Sequence, residues 1–406
     1  METDRTRPQD CFSLIFAFAQ LLVFSSQLTA AERIHTAYFS PAPGASSIIW
    51  VAKEARLFDK HGLDVAPVLI PSSVRALQAI LAGESPIAES AGPAVVSARL
   101  AGGDVVAIVG SVNILTYYFV TVPGIKRPED LKGKIGANQS PGTIADFALR
   151  VSLRKLGLDS AKDVSLRSIG VLYDRIAAMQ KGIVQFTVVT EAEKPIVDKL
   201  GYPILLDLIS LRIPFPQRGI YTTGKTIKEQ PETVRRYARA YVEAIHYFKT
   251  RKEETMQIMR KYSRVEDRNV LEHAWSWFTQ NMPEYPYPPV EGYQGVLQEM
   301  ASTQPKAAAL NVKELVDARF VKELEDAGFI ANLHKNSVHE SRFALEHERS
   351  ERRGKPRGRR RKRAGAVRPG RLELASLGLA RAALKPETHR LRPEGSRLST
   401  AFGEAG

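Results

Sequence analysis

Short apolar runs alternate with amphipathic helical patterns along the first half of this chain, and the series runs twice. Residues 34–39 read as a strand, a Pro/Gly/Ser turn follows, and Ile48, Ile49, Ala52, Ala55 and Leu57 then recur at helical spacing. Residues 65–70 form a second strand pattern, and Pro67 there fits an edge position because proline has no N–H to give a neighbour. A helix carrying Leu77, Ile80 and Leu81 on one face, a short strand at Ile87 and Ala88, a helix over 93–100 and a strand over 105–109 complete the first series. Repeated units of this length predict an α/β fold with mainly parallel sheets, whose neighbouring strands need helical crossovers.

The register changes at residues 117–122, and the alternation restarts after Pro123, Gly124 and Pro128. Thr143 can cap a helix with Ile144, Phe147, Ala148 and Val151 on its apolar face, and Gly157 stops it. Residues 164–169, 183–189 and 204–206 are further strand candidates. After Pro214 and Pro216 the character becomes helical. Val234, Tyr237, Ala238, Tyr241, Ala244, Ile245 and Phe248 trace one strongly amphipathic helix. Helical patterns then run to about residue 333, interrupted by the proline-rich stretch 283–289.

The two ends differ from this body. Residues 14–24 are an apolar run of signal-peptide length, followed by small residues that suit cleavage near Ala30 or Ala31, so residues 1–31 are expected to be a signal peptide. Residues 336–406 hold 18 Lys and Arg against 8 Asp and Glu, which is ten of the chain's fourteen net positive charges. This tail has no sustained apolar period, and disorder is expected. Its run Arg357 to Arg363 has no interleaved aromatic, so any nucleic-acid binding would be phosphate-directed and unspecific. The one cysteine, Cys11, lies in the leader, which leaves the mature chain without a disulfide or thiolate metal site.

Two turns open helices with small hydroxyl residues. Ser46 and Ser47 precede the Ile48 helix, and Gly142 and Thr143 precede the Ile144 helix. Free N–H groups at such starts can take an acceptor from a ligand, though the same hydroxyls can act only as caps. Ser72 and Ser73, and the turn from Glu89 through Gly92, lie at other strand ends, where ligands gather in parallel α/β sheets. Catalytic patterns are missing: there is no Gly-x-Ser-x-Gly elbow, phosphate-loop lysine motif or His-Glu-x-x-His helix. His35, His61, His246, His273 and His334 are scattered. Asp59 to His61 read as a solvated helix end, and Trp275, Trp277 and Phe278 as packing residues.

Five phrases stand out: Arg56-Leu-Phe-Asp-Lys-His-Gly-Leu-Asp64, Ala76-Leu-Gln-Ala-Ile-Leu-Ala-Gly-Glu84, Arg127-Pro-Glu-Asp-Leu-Lys-Gly-Lys-Ile-Gly136, Ala178-Met-Gln-Lys-Gly182 and Leu200-Gly-Tyr-Pro-Ile-Leu-Leu-Asp207. Together they resemble the sulfonate/nitrate/taurine and thiamine-pyrimidine-precursor family of ABC-transporter solute-binding proteins. Ser85-Pro86 and Gln185 depart from the family's usual acidic residues. The resemblance implies a type II periplasmic-binding fold in which two α/β lobes are joined by two hinge crossings, near 118–122 and 214–222. One lobe would comprise 32–118 and 222–335, the other 119–221. It also implies ligand contacts from Ser46, Ser47, Ser72, Ser73, Gly92, Gly142 and Thr143, with Asn113 and Glu191 as further candidates.

The function implied is that of a monomeric periplasmic or secreted receptor for a small organic or anionic nutrient. Its partners would be that solute and an ABC permease, with no catalytic residue, metal or cofactor. The alternatives are an enzyme of thiamine-pyrimidine synthesis on the same fold, for which the cysteine-rich iron site is lacking, and a basic nucleic-acid binder acting through the tail.

Overall fold

The computed structural model describes residues 33–44, 46–301 and 304–335; the expected signal peptide and the basic tail lie outside these residues. The chain opens with β1 (Arg33–Tyr38), α1 (Ser47–Glu54), α2 (Leu57–Lys60), β2 (Asp64–Leu69), α3 (Ser73–Leu81), β3 (Ile87–Ser90), α4 (Gly92–Leu100) and β4 (Val106–Ile114). The second series is β5 (Tyr117–Thr121), β6 (Ile135–Asn138), α5 (Ile144–Lys155), β7 (Ser165–Ser168), α6 (Leu172–Gln180), β8 (Phe186–Thr190), α7 (Lys194–Lys199) and β9 (Ile204–Asp207). Then come β10 (Pro214–Thr222), α8 (Gly224–Glu229), α9 (Pro231–Thr250), α10 (Lys252–Ser263), α11 (Arg268–Asn281), α12 (Val290–Ala301) and α13 (Arg319–Asp326).

The strands form two five-stranded sheets, β2-β1-β3-β10-β4 and β7-β6-β8-β5-β9. In the first, β1 is parallel to β2 and β3, and β10 is antiparallel to β3 and β4. In the second, β6 is parallel to β7 and β8, and β5 is antiparallel to β8 and β9. This is the two-lobed α/β fold expected from the alternation. Pro67 stands on β2, the outermost strand of the first sheet.

The crossings between lobes fall earlier than the expected 118–122 and 214–222. Both expected segments are almost wholly strand: β5 belongs to the second sheet and β10 to the first. The chain crosses at 115–116 and returns at 208–213, side by side, with the Leu115 N–H donating to the Ile213 carbonyl at 3.0 Å. Aromatic and proline-rich stretches signalled a change in the chain, but β5 has a fully covered face to fill, and Pro216 lies where a bulge interrupts the pairing of β10 with β4.

Three apolar cores support the sheets. One joins α1, α2 and the C-terminal helices around Trp50, Phe58, Tyr237, Tyr241 and Phe248. A second extends from α3, α4 and α12 of the first lobe into α5 and the second sheet, where Phe147 lies 4.6 Å from Phe215 between ring centres. The two lobes are therefore welded along that side. A third core packs α6 and α7 on the other face of the second sheet.

Trp275 packs as expected, with its indole N–H on the Phe248 carbonyl at 2.7 Å. At the end of α2, Asp59 and Lys60 are exposed as the solvated reading expects, and His61 is the exception. Lys60 and His61 both reach Glu243 of α9, at 2.5 and 2.7 Å. Burial alone would raise the Glu243 carboxyl, but the bonds from His61 and Lys60 outweigh it and hold the group below its ordinary value.

Candidate functional site

Topology brings the working ends of both sheets to one place. The carboxyl ends of β1, β3 and β4 face the crossings, and so do those of β6 and β8; β5 and β10, being antiparallel, start there. Loops and helix starts from both lobes thus border a single cleft, the usual place for a ligand in open α/β sheets.

On the first lobe the centre of this region is a buried ion pair. Glu89, at the end of β3, is completely buried, and its Oε2 accepts from the Ser46 hydroxyl at 2.5 Å and from Arg218 Nη1 at 3.2 Å. Arg218 also donates to Ser46 Oγ at 3.1 Å and stacks over the Phe39 ring, 4.1 Å from its centre. Ser46 therefore does not cap α1; its backbone is helical and its hydroxyl is spent on the ion pair. Glu89 Oε1 has no hydrogen-bond partner among the described residues. Burial, and after it the Glu89 charge, keeps Tyr241 well above the ordinary tyrosine range.

The other expected residues of this lobe make contacts within the scaffold. Ser47 Oγ accepts the Gly44 N–H at 3.0 Å and closes the turn before α1. Gly44 has φ +145°, and an added Cβ would fall 2.1 Å from the Phe278 ring. Ser72 caps α3 by accepting the Arg75 N–H at 3.3 Å, and the Ser73 carbonyl accepts the Ser90 hydroxyl at 2.9 Å. Gly92 makes room for Pro216, whose Cγ would lie 2.1 Å from a Cβ there. Asn113 donates to the Tyr287 carbonyl at 2.8 Å and so ties the proline-rich stretch to β4, while its Oδ1 has no partner among the described residues.

On the second lobe, Thr143 caps α5. Its hydroxyl accepts the Asp146 N–H at 3.3 Å and donates to the Ser140 carbonyl at 2.7 Å. Gly142 has φ +75°, and its missing side chain faces Ser97 of α4 across the gap. Together with Pro93, Asp146, Arg150, Glu299 and Met300, it borders a cavity of about 290 Å³ between the lobes. Glu191 bridges outward: its Oε1 lies 2.8 Å from His273 Nε2 of α11, on the first lobe, and its Oε2 accepts from the Tyr118 hydroxyl. Of the nine expected residues, only Ser46, Gly142 and Glu191 contact or face a group across the cleft or join the ion pair.

Two arginines in this region were not among the expected residues. Arg218 follows Gln217 in β10, a strand paired on both sides, and Arg175 lies on the buried face of α6 with Leu172, Ile176 and Met179. For Arg175, a charge on an otherwise apolar helix face was the sequence signal available. Arg175 is 4% exposed, and its Nη1 donates to Thr187 Oγ1 at 2.9 Å and to the Val188 carbonyl at 2.8 Å. Tyr117, the first residue after the outward crossing, lies within the influence of both arginines. Burial first, then the Glu193 charge, pushes its hydroxyl up; Arg175, Arg218 and the Gln217 side chain act against that.

Two α/β lobes, two adjoining crossings and a polar cleft between them define the fold of the periplasmic solute-binding proteins. Among solved structures of that fold, the periplasmic aliphatic sulphonate binding protein SsuA of Escherichia coli superposes with a TM-score of 0.59 at 18% identity, over 70% of this chain and 92% of that one. The alkanesulfonate-binding protein SsuA of Xanthomonas axonopodis, bound to MOPS, gives 0.57 at 16%, over 70% and 98%. The nitrate-binding protein NrtA of Synechocystis gives 0.58 at 16%, over 73% and 89%. No curated protein matches the chain by sequence. The family model described as NMT1/THI5 like matches residues 45–255, and the chain belongs to that family.

Proposed function

We propose that this protein is an extracytoplasmic receptor that closes two lobes over a small organic or anionic solute and delivers it to the permease of an ABC importer. The observation that carries this reading is the buried Ser46–Glu89–Arg218 cluster at the end of the first sheet that borders the crossings. Such a cluster is costly to bury and adds little to stability beyond what apolar residues would give, so its place at a cleft favours a binding role. The leader-like residues 14–31 and the named neighbours, which are periplasmic sulphonate- and nitrate-binding proteins, support export. Within the reading, the solute shifts the lobes toward the closed form because only that form contacts it from both sides.

The test starts with protein purified from the exported fraction. Mass spectrometry of small molecules released by denaturation identifies the solute, and small-angle scattering follows the radius of gyration when that solute is added back. A released solute that contracts the protein supports a receptor. Protein that retains nothing, and is unmoved by extracts of growth medium, defeats the reading. N-terminal sequencing of the same material is expected to begin near Glu32.

A further inference from the structure

Two ion pairs that join the lobes differ in kind. Arg154 of α5 pairs with Glu299 of α12, and a guanidinium keeps its charge at every pH a protein meets. The other pair joins His273 of α11 to Glu191, the residue after β8, with Nε2 and Oε1 2.8 Å apart. Imidazoles change charge between about pH 5 and pH 8, so protons can strengthen or weaken this second pair and not the first.

The second lobe holds Glu191 ready for such a partner. The Glu191 side chain is 17% exposed, and its Oε2 accepts from the Tyr118 hydroxyl of β5. Burial first, and then the bond to Glu191, pushes that hydroxyl well up, so Tyr118 stays a donor wherever histidines titrate. One carboxylate oxygen is thus fixed inside its own lobe, and the other is turned to α11. The charges nearby are already engaged. Glu193, on the same turn, accepts the Thr190 N–H at 2.8 Å, and Asp207 of β9 accepts the Ile209 N–H at 2.9 Å. Lys194 pairs with Asp198 on α7; on the first lobe Glu272 pairs with Lys252, and Arg268 with Glu253. Arg212 of the return crossing donates to Asn281 of α11 at 3.5 Å. A charge gained by His273 therefore acts first on Glu191, its contact across the lobes.

We propose that His273 and Glu191 form a proton-operated latch: the imidazolium draws the lobes together in acid, and the neutral ring lets them part more readily in alkali. The sign follows from the contact itself. An imidazolium meets the carboxylate only when the lobes are together, and a charge-assisted bond is roughly twice as strong as a neutral one, so acid adds to the closed form alone. The proposal rests on the receptor reading for its use, a solute hold that responds to the surrounding pH, and it is tested without any solute.

Beyond Cys11 in the expected leader the chain has no cysteine. Spin labels can therefore be placed on the exported protein through Leu81→Cys on the first lobe and Lys181→Cys on the second, both exposed and at helix ends. After exhaustive dialysis, double electron–electron resonance reads the ratio of short to long interlobe distances at about pH 5.5 and about pH 8.5, the two sides of histidine titration, at constant ionic strength. The ratio is expected to be higher in acid, by up to about fivefold. His273→Ala and Glu191→Gln should each abolish the difference, and His273→Lys, charged at both values, should keep the higher ratio at both. The His273 side chain is 56% exposed, so its removal leaves the fold intact, and thermal melts check each variant. Equal ratios at the two pH values in the labelled parent, or a difference that persists in His273→Ala, overturn the latch and leave the receptor reading standing.

Discussion

At the scale of single residues, the cleft is organised by groups that neutralise one another in a dry setting. Glu89 is fully buried and depends on Arg218 and Ser46 for its hydrogen bonds. Arg218→Met should therefore cost about 3 kcal/mol in urea unfolding, since it leaves a buried carboxylate without its cation. The double variant Glu89→Gln with Arg218→Met should lose less than the two singles added together, the signature of a coupled pair. Gly92→Ala should cost about 1–3 kcal/mol by driving a methyl into Pro216. Glu243 offers a pH test. Its native value lies below the unfolded one, so its pair with Lys60 and His61 stabilises above about pH 4.5 and is lost as pH falls through the lower native value. Glu243→Gln should be less stable than the natural chain at neutral pH, and the gap should close in acid. Convergence of the two unfolding curves at neutral pH instead would remove the pair from the account.

Among the elements, α5 shows how a helix start can be read two ways. Thr143 was open to a capping or a ligand role, and its hydroxyl makes both of its hydrogen bonds inside its own turn. Thr143→Ala should therefore lower stability by about 1 kcal/mol and leave solute affinity unchanged. Thermal melts beside calorimetry with the released solute decide this, and an affinity loss at constant stability would return Thr143 to the ligand. The helix at α1 took the opposite course, because Ser46 left the capping position to join Glu89 and Arg218. Local sequence made both hydroxyls equivalent. The partner forty-three residues away made them different.

For the whole molecule, the lobes are held unequally on their two sides. Along one side they share the apolar core that includes Phe147 and Phe215, and an Arg154–Glu299 ion pair connects α5 with α12. At another point the exposed His273 meets the mostly covered Glu191. Closure should then pivot about the crossings and the shared core, with the His273–Glu191 contact formed in the closed state. His273→Ala should weaken solute retention by no more than about fivefold, as a pair with an exposed partner contributes at most about 1 kcal/mol, and should raise the radius of gyration of the solute-bound protein slightly. A large loss of thermal stability in that variant would mean that the pair supports the fold rather than closure.

The sequence by itself determined most of the alternation of strands and helices, the restart that makes a second lobe, the edge position of β2 and Thr143 as a candidate cap. Each of these depends on neighbours within a few residues, where periodicity, proline and hydroxyl chemistry act directly. Tertiary structure alone decided that β10 returns to the first sheet, that the crossings lie at 115–116 and 208–213, and that Gly92 accommodates Pro216. It alone joined Ser46, Glu89 and Arg218, and it tied Arg175 of α6 to Thr187 and Val188 of β8. The physical reason is that a buried charge is tolerated only beside particular partners, and those partners come from strands and helices distant in sequence, so their pairing is written in the packing of the sheets and not in any local pattern.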